Sequence, residues 1–236
     1  MPTPSYALEW DKTGERWYHT GVSRGVLYLL DNSNAYSTGE AWNGLTGVDD
    51  NPDGAEVQDL WADNIKYATF RTPENHKGNI KAYTYPDGWK KCIGQISPTG
   101  MAGMTIGQQP HVMFGLCYRT EKGNDTIAES DDAYVLHLVY GCTASPSSVS
   151  HTTKNENPDA VEFSWDYEST PVKVANAFDT IKYTSTVELD SSVLTAAQMA
   201  AVEAALYGTA AEGQTAAVAA RLPLPDEIKT IIAGAT

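Results

Sequence analysis

A serine between two glycines is the first feature of this sequence that could do covalent chemistry. Ser23 is the centre of the pentapeptide 21–25, Gly-Val-Ser-Arg-Gly, which matches the pattern around the nucleophile of many hydrolases. That pattern works only where the serine occupies a sharp turn between a strand and a helix. Residues 26–30 are Val-Leu-Tyr-Leu-Leu, a short apolar run that is typical of a strand. We therefore predict that Ser23 is not catalytic.

An acidic stretch offers the oxygen ligands that calcium prefers. Asp49, Asn51 and Asp53 match the first half of an EF-hand calcium loop. The twelfth position of such a loop supplies a bidentate glutamate, and here that position is Leu60. Because this ligand is missing, we predict that residues 48–55 form a polar loop and not a calcium site.

The other metal-ligating and nucleophilic residue types are dispersed along the chain. No two histidines have the spacing of a zinc site, and the cysteines form no C-x-x-C pair. Cys117 and Cys142 lie in apolar runs, where a free thiol behaves as a small apolar side chain. We therefore expect no catalytic residue, no metal, no cofactor and no enzymatic activity. The residues considered are His19, His76, His111, His137, His151 and the third cysteine, Cys92.

The charge of the chain is one-sided. Its 236 residues include 16 Lys and Arg against 30 Asp and Glu, which gives a net charge of −14. Binding DNA tightly requires cations that neutralise phosphates, so this composition argues against a DNA-gripping protein. The first ten residues lack the parts of a signal peptide, and no apolar run approaches the roughly 18 residues of a membrane span. We expect synthesis in a cytoplasm and no membrane association.

The elements that would position these residues are mostly strands. The clearest is 161–168, where Val161, Phe163, Trp165 and Tyr167 alternate with polar residues, which predicts one buried face and one exposed acidic face. Residues 134–140 are apolar on both faces apart from one histidine, which predicts a strand buried from both sides. Further strands are predicted at 64–70, 79–85, 111–119 and 180–190.

The C-terminal part changes to a helical pattern. Thr195 and Gln198 form a capping box, and an apolar stripe follows it up to Gly208, which predicts a helix. Asp226 is placed to cap a last short helix. We therefore predict a mainly β protein with three parts: an N-terminal arm (1–16), a β-rich domain (17–192) and a helical C-terminal tail (193–236).

Seven short strings, taken in order, resemble the major tail (tail tube) proteins of siphophages and related prophages. Together they extend from about residue 17 to residue 228, whereas the Ala-rich stretch 195–220 departs from the family pattern. The strings are Trp-Asn-Gly-Leu-Thr (42–46), Ala-Asp-Asn-Ile-Lys-Tyr (62–67), Ala-Tyr-Thr-Tyr-Pro (82–86), Phe-Gly-Leu-Cys-Tyr-Arg (114–119) with Gly-Asn-Asp (123–125), Leu-His-Leu-Val-Tyr-Gly (136–141), Phe-Ser-Trp (163–165) with Thr-Pro-Val (170–172), and Arg-Leu-Pro-Leu-Pro (221–225).

This resemblance implies a β-sandwich or split-barrel tail-tube fold with a short flanking helix and small C-terminal helices. Residues 86–93 are the candidate for the flanking helix. The resemblance also implies a structural subunit of the virion, assembled in the bacterial host cytoplasm into stacked, usually hexameric, rings. Its partners would be other copies of itself, the tape-measure protein, and the tail terminator and distal tail proteins. DNA would pass through the tube without specific binding.

Two sets of residues become site candidates under this interpretation. Glu162, Asp166 and Glu168 lie on the polar side of strand 161–168 and are predicted to face the lumen, where carboxylates would repel DNA phosphates. The loop 48–60, together with the arm 1–16, is predicted to become ordered on contact with the next ring. The loop residues concerned are Asp49, Asp50, Asn51 and Asp53.

A carbohydrate-binding β-sandwich, acting as a receptor-binding or decoration module, is the alternative interpretation. Its sugar platform would use exposed aromatic side chains, for which Trp10, Trp17, Trp61 and Trp89 are the candidates. The same residues could instead fill the core or the subunit interfaces, where large aromatic side chains are common.

Overall fold

The computed structural model describes residues 8–101, 103–126, 133–151, 153, 160–175, 180–211 and 216–235. Within this part, strands predominate and the helices are short. The strands are β1 (Tyr18–Leu29), β2 (Gly39–Trp42), β3 (Leu45–Asp50), β4 (Asp53–Gly54), β5 (Val57–Ala62), β6 (Ile65–Arg71), β7 (Glu74–Asn75), β8 (Lys77–Ala82), β9 (Phe114–Gly123), β10 (Tyr134–Ala144), β11 (Phe163–Ser169), β12 (Val172–Val174), β13 (Lys182–Thr184) and β14 (Thr186–Asp190). The helices are α1 (Trp89–Cys92), α2 (Ala196–Tyr207) and α3 (Pro225–Gly234).

One large antiparallel sheet forms the body of the protein, so the mainly β fold predicted from the sequence is confirmed. Its strand order is β2-β1-β9-β10-β11-β8-β3, with β14 also paired to β10. The two outermost strands of this order, β2 and β3, are consecutive in the chain and are joined only by Asn43 and Gly44. The sheet must therefore curl until its two edge strands come close together, which gives it the shape of a barrel, although no ladder joins β2 to β3 among the described strands.

Aromatic side chains fill the interior of this barrel. On β11, Trp165 and Tyr167 point inward as the alternation predicted, Phe163 is partly buried, and the polar residues that alternate with them are exposed. Val161 precedes the strand and is 38% exposed, so its predicted burial is wrong. Helix α1 lies within the predicted range 86–93 and contributes Trp89, which is fully buried. Its ring centroid lies 4.7 Å from that of Trp42 and 5.4 Å from that of Trp165. Aromatic pairs at such distances add to the free energy gained by burial.

The C-terminal helices cover the outer face of β1, β9 and β10. Met199, Val202 and Leu206 of α2 pack with Tyr28 and Leu138 in a second apolar cluster. This explains why β10 is apolar on both faces: one face lines the barrel and the other lies under the helices. The sequence predicted a C-terminal tail, whereas the structure packs this segment onto the sheet. None of the helices in the described ranges is long and apolar enough to cross a membrane.

Of the two helix starts predicted in the C-terminal part, one is confirmed and the other is wrong. At α2 the Thr195 side chain accepts a hydrogen bond from the backbone of Gln198, and the Gln198 side chain accepts one from the backbone of Thr195, so the predicted capping box is confirmed. At α3 the predicted cap Asp226 is wrong. Leu224 is the N-cap and Pro225 takes the first turn, while the Asp226 carboxylate accepts a hydrogen bond of 2.8 Å from the backbone of Ala175.

Strand β10 changes partner along its length, which splits the barrel. Its first half pairs with β14, and its last three residues pair with β11. The change occurs at Gly141, which has a φ of 63° and whose carbonyl accepts a hydrogen bond from the backbone of Thr170 at 2.9 Å. The predicted strand 180–190 is also divided, because Ser185 separates β13 from β14 and accepts a hydrogen bond from the backbone of Tyr140.

Candidate assembly surfaces

A two-stranded hairpin projects from the barrel. Strands β3 and β8 continue through β4 and β7 into β5 and β6, so that the chain pairs with itself from residue 45 to residue 82. The tip is a two-residue turn at Asp63 and Asn64, whose φ angles of 52° and 61° suit a tight hairpin. Every residue from 56 to 71 is exposed. We refer to residues 51–76 as the projecting hairpin.

This hairpin corrects the prediction of a loop at 48–55. Residues 48–50 belong to β3, and Asp53 pairs with Asn75 in β4 and β7. The turn-forming composition of this stretch suggested a loop, but cross-strand pairing holds it extended. Asp49 and Asp53 do not converge on a metal either, because each carboxylate lies 2.7 Å from a lysine, Lys81 and Lys77 respectively.

The two faces of the hairpin differ in polarity. Residues paired across an antiparallel ladder point to the same side, and successive residues on a strand alternate sides. Gln58 pairs with Phe70, Leu60 with Ala68, and, after one irregularity, Ala62 with Ile65. These residues therefore share one side, and all but Gln58 are apolar. The apolar hairpin face consists of Leu60, Ala62, Ile65, Ala68 and Phe70.

The opposite side of the hairpin satisfies its own polar groups. Asp59 lies 2.8 Å from the Lys66 ammonium and accepts a hydrogen bond of 2.9 Å from the Thr69 hydroxyl. These hydrogen bonds, first that of Lys66 and then that of Thr69, lower the pKa of Asp59. Trp61, which pairs with Lys66, also lies on this side. Val57, which pairs with Arg71, lies on this side as well. All charged residues of β5 and β6 are therefore on one side of the hairpin, and the apolar hairpin face carries no charge and is exposed to solvent.

A cluster of polar side chains connects the base of the hairpin to the barrel. Asp50, the last residue of β3, accepts hydrogen bonds from the hydroxyls of Tyr118 at 3.3 Å and Tyr167 at 3.4 Å. His76, on the returning strand, places its Nε2 3.6 Å from the same carboxylate. Burial raises the pKa of both tyrosines, and the negative Asp50 raises it further. Both phenols therefore stay protonated and can donate to Asp50.

His137 extends this cluster on β10. Its ring stacks on Tyr118 with a centroid distance of 4.7 Å and an interplanar angle of 9°. Nε2 lies 2.9 Å from the Thr120 hydroxyl, and Nδ1 lies 3.4 Å from the Glu188 carboxylate. Burial lowers the pKa of His137 in spite of the nearby carboxylates of Glu188 and Asp50. Since its polar atoms have partners, His137 fits a structural role.

The predicted lumen carboxylates lie together on the outer side of the barrel. Glu162, Asp166 and Glu168 are exposed, and β11 pairs with β8 such that Glu168 stands beside Lys77 and Asp166 beside Asn79. Asp166 accepts a hydrogen bond of 2.7 Å from Asn79. We refer to the three carboxylates as the acidic face. The described helices α2 and α3 pack on other strands, so this side of the sheet stays open to solvent.

The serine and the cysteines considered as reactive residues lie in a strand and in the protein interior. The strand predicted at 26–30 is confirmed as the second half of β1, which begins at Tyr18 and so includes Ser23 opposite Arg119 of β9. A strand follows Ser23 in place of the helix that a hydrolase nucleophile requires. Cys92, Cys117 and Cys142 are buried, and burial raises the pKa of the first two thiols to about 12. In the described ranges, no group of three or more His, Cys, Asp or Glu side chains could hold a metal ion.

The four tryptophans proposed for a sugar platform separate into two groups. Trp89 is wrong as a platform residue, because it is fully buried in the barrel. Trp10, Trp17 and Trp61 are exposed by 76%, 45% and 68%. Trp61 lies on the hairpin, whereas Trp17 lies under the Lys122 ammonium, 4.7 Å from its ring centroid.

The predicted N-terminal arm is described only from residue 8. The backbone of Gly14 donates a hydrogen bond of 2.8 Å to Asp125, and Asn124 donates one of 3.0 Å to the Gly14 carbonyl. This end of the arm is therefore attached to the barrel in the single subunit. Residues 1–7 lie outside the described part of the chain.

Sequence reasoning missed the projecting hairpin, although a signal was present. Leu60 and Ala62 alternate with polar or bulky neighbours on one side of Asp63-Asn64, and Ala68 and Phe70 do so on the other.

Comparison of the chain with family models and with curated proteins finds no match. Inference about function therefore rests on the surfaces described above.

Proposed function

We propose that this protein is a structural subunit that polymerises into a phage tail tube. The observation that supports this most strongly is the apolar hairpin face. An isolated two-stranded hairpin is marginally stable at best in water, and contiguous exposed apolar side chains mark interaction sites. Ile65 is 62% exposed and Phe70 is 46% exposed in the single subunit. Another protein surface must cover them in the working form, and self-association supplies that surface without a further component.

The position of the hairpin favours an open assembly over a closed pair. The hairpin extends away from the barrel on a paired stem, so its apolar face can reach a surface beyond its own subunit. If the receiving surface differs from the hairpin, the contact is heterologous and repeats from copy to copy. Such contacts generate rings and stacked filaments, as a tube requires. Hexameric rings are part of this proposal through the resemblance to siphophage tail proteins.

In this proposal the acidic face keeps DNA from binding to the inner wall of the tube. Carboxylates at Glu162, Asp166 and Glu168 that line the lumen repel DNA phosphates over about 8 Å at physiological salt. DNA then passes through without sticking, and the tape-measure protein occupies the same space during assembly. The tail terminator and distal tail proteins bind the two ends of the tube. The protein is accordingly a component of the virion, made in the host cytoplasm.

Hydrogen exchange of the hairpin tests this proposal. In the dilute subunit, the amides of β5 and β6 should exchange rapidly, because the hairpin has no covering layer. At concentrations where the protein sediments as large particles, the same amides should become protected, while those of β10 remain protected in both states. Unchanged exchange in β5 and β6 on assembly would contradict the proposal. Specific glycan binding by a protein that stays monomeric would favour the carbohydrate-binding alternative instead.

A further inference from the structure

A groove of 650 Å³ lies between β12, β13, β14 and α3, and none of its described lining residues belongs to the hairpin. Its floor is apolar, with Val174 and Val187 from the strands and Ile228 and Ile232 from the helix. Tyr183 stands at its rim and is 68% exposed. The apolar floor and open rim suit a segment with apolar side chains on one side.

The charges of the groove and the hairpin are opposite. Lys182 and Lys229 line the groove, and no acidic residue is among its described lining residues. The hairpin segment 53–75 carries Asp53, Glu56, Asp59, Asp63 and Glu74 against only Lys66 and Arg71. Asp63 is at the tip, where it would meet a receiving surface first. In a chain with a net charge of −14, an exposed lysine such as Lys182 beside an apolar groove favours an acidic occupant.

We propose that the apolar hairpin face of one copy docks into this groove of the next copy. The apolar side chains of the hairpin cover the valines and isoleucines of the floor, and Asp63 approaches Lys182. This inference rests on the proposed function, because it names the receiving surface of the same self-association. Each copy offers one hairpin and one groove at different places, so the contact is heterologous and adds copies without limit.

Pairing of two hairpins through their apolar faces is the competing arrangement within the same chain. It would bring two segments with excess negative charge together, and like charges across an interface cost several kcal/mol. It would also be satisfied by two copies, which ends growth at a dimer. Docking into the groove avoids both consequences.

Cross-linking between single-cysteine variants tests the docking directly. Ile65→Cys on the apolar hairpin face is mixed with Tyr183→Cys or with Ile232→Cys in the groove, and the mixture is oxidised at concentrations that give large particles. Trp61→Cys, on the polar side of the same hairpin, is the matched control. The three native cysteines are buried and do not compete. We expect a disulfide-linked pair from Ile65→Cys with at least one groove variant, and about tenfold less from Trp61→Cys, since side chains on opposite hairpin faces point apart.

A charge exchange provides a second readout that does not depend on disulfide geometry. Lys182→Glu should raise the concentration at which particles form by about fivefold, the effect of one exposed ion pair, and Asp63→Lys in the same chain should restore it. Particles that form without an Ile65 cross-link and without this rescue would overturn the docking and leave the tube proposal standing. Failure to form particles together with failure to cross-link would overturn both. Cross-linked pairs that never grow would support the docking and contradict the tube.

Discussion

Replacing two of the three large residues of the apolar hairpin face with serine should separate folding from assembly. Ile65 and Phe70 are exposed in the single subunit, so the double variant I65S/F70S removes no core contact. Substitutions at such positions usually change the free energy of unfolding by no more than about 0.5 kcal/mol. We therefore expect the variant to unfold at nearly the same denaturant concentration as the unchanged protein.

Assembly should respond much more strongly than folding. Ile65 leaves 62% of its surface exposed and Phe70 leaves 46%, and this is the area that docking would cover. At roughly 25 cal/mol per Å² of apolar surface, covering them contributes about 1–2 kcal/mol each, or about 2–4 kcal/mol together. Since about 1.4 kcal/mol corresponds to a tenfold change, the concentration at which particles form should rise by roughly 30-fold at the lower value and several hundred-fold at the upper one.

Sedimentation velocity over a concentration series measures this threshold. Val193→Ser is the matched control, because Val193 is 80% exposed, apolar and outside the hairpin. Its threshold should stay within about twofold of the unchanged protein, the effect of a surface substitution away from any contact. Equal thresholds for I65S/F70S and the control, with both proteins folded, would refute the assignment of the apolar hairpin face as an assembly surface.

Four further changes test other parts of the structure. Replacing the three carboxylates of the acidic face by amides should leave particles intact but let more duplex DNA enter them, measured by cosedimentation at physiological salt, because part of the repulsion of phosphates is lost. The free energy of unfolding should fall as the pH drops below 6.5, because burial lowers the pKa of His137 and the unfolded chain takes up the proton first; His137→Gln should flatten this fall in denaturant titrations. Gly141→Ala should destabilise the fold by about 2–4 kcal/mol in the same titrations, because its φ of 63° disfavours a side chain and the new Cβ would collide with the Thr170 carbonyl. The three cysteines should stay unmodified by iodoacetamide until the protein unfolds, as mass spectrometry would show, because burial raises the pKa of each thiol.

For each of these four changes, one experimental result would contradict the expected outcome. DNA that is excluded equally after amide substitution would place the acidic face away from the lumen. An equally steep loss of stability in His137→Gln would show that other groups control the acid response. A Gly141→Ala protein as stable as the original would mean that the split in β10 tolerates a side chain. Rapid labelling of any cysteine in the native state would contradict its burial.

Local patterns in the sequence predicted the elements that depend on neighbouring residues. The alternation at 161–168 identified the buried and exposed sides of β11, because that period is imposed by the strand itself. The capping box at Thr195 and Gln198 marked the start of α2, because its hydrogen bonds close within four residues. The two-sided apolar character of β10 correctly indicated burial on both faces.

Features set by distant pairing could not be predicted in the same way. Residues 48–55 have turn-forming composition, and only their pairing with the returning strand makes them part of a ribbon. Asp226 looks like a helix cap, but it binds the backbone of Ala175, which is 51 residues away. The division of segment 180–190 follows from the change of partner along β10. The acidic face was identified as exposed, but its relation to a lumen depends on other copies.

Electron microscopy of the purified protein over a concentration series tests the central claim most directly. We expect hollow tubes of stacked rings, with a bore only slightly wider than duplex DNA, and reconstructions in which the acidic face lines the bore. Apolar hairpin faces should be covered by neighbouring subunits in the same images. Isolated particles of subunit size at every concentration, or tubes that carry Glu162, Asp166 and Glu168 on their outer surface, would contradict the claim.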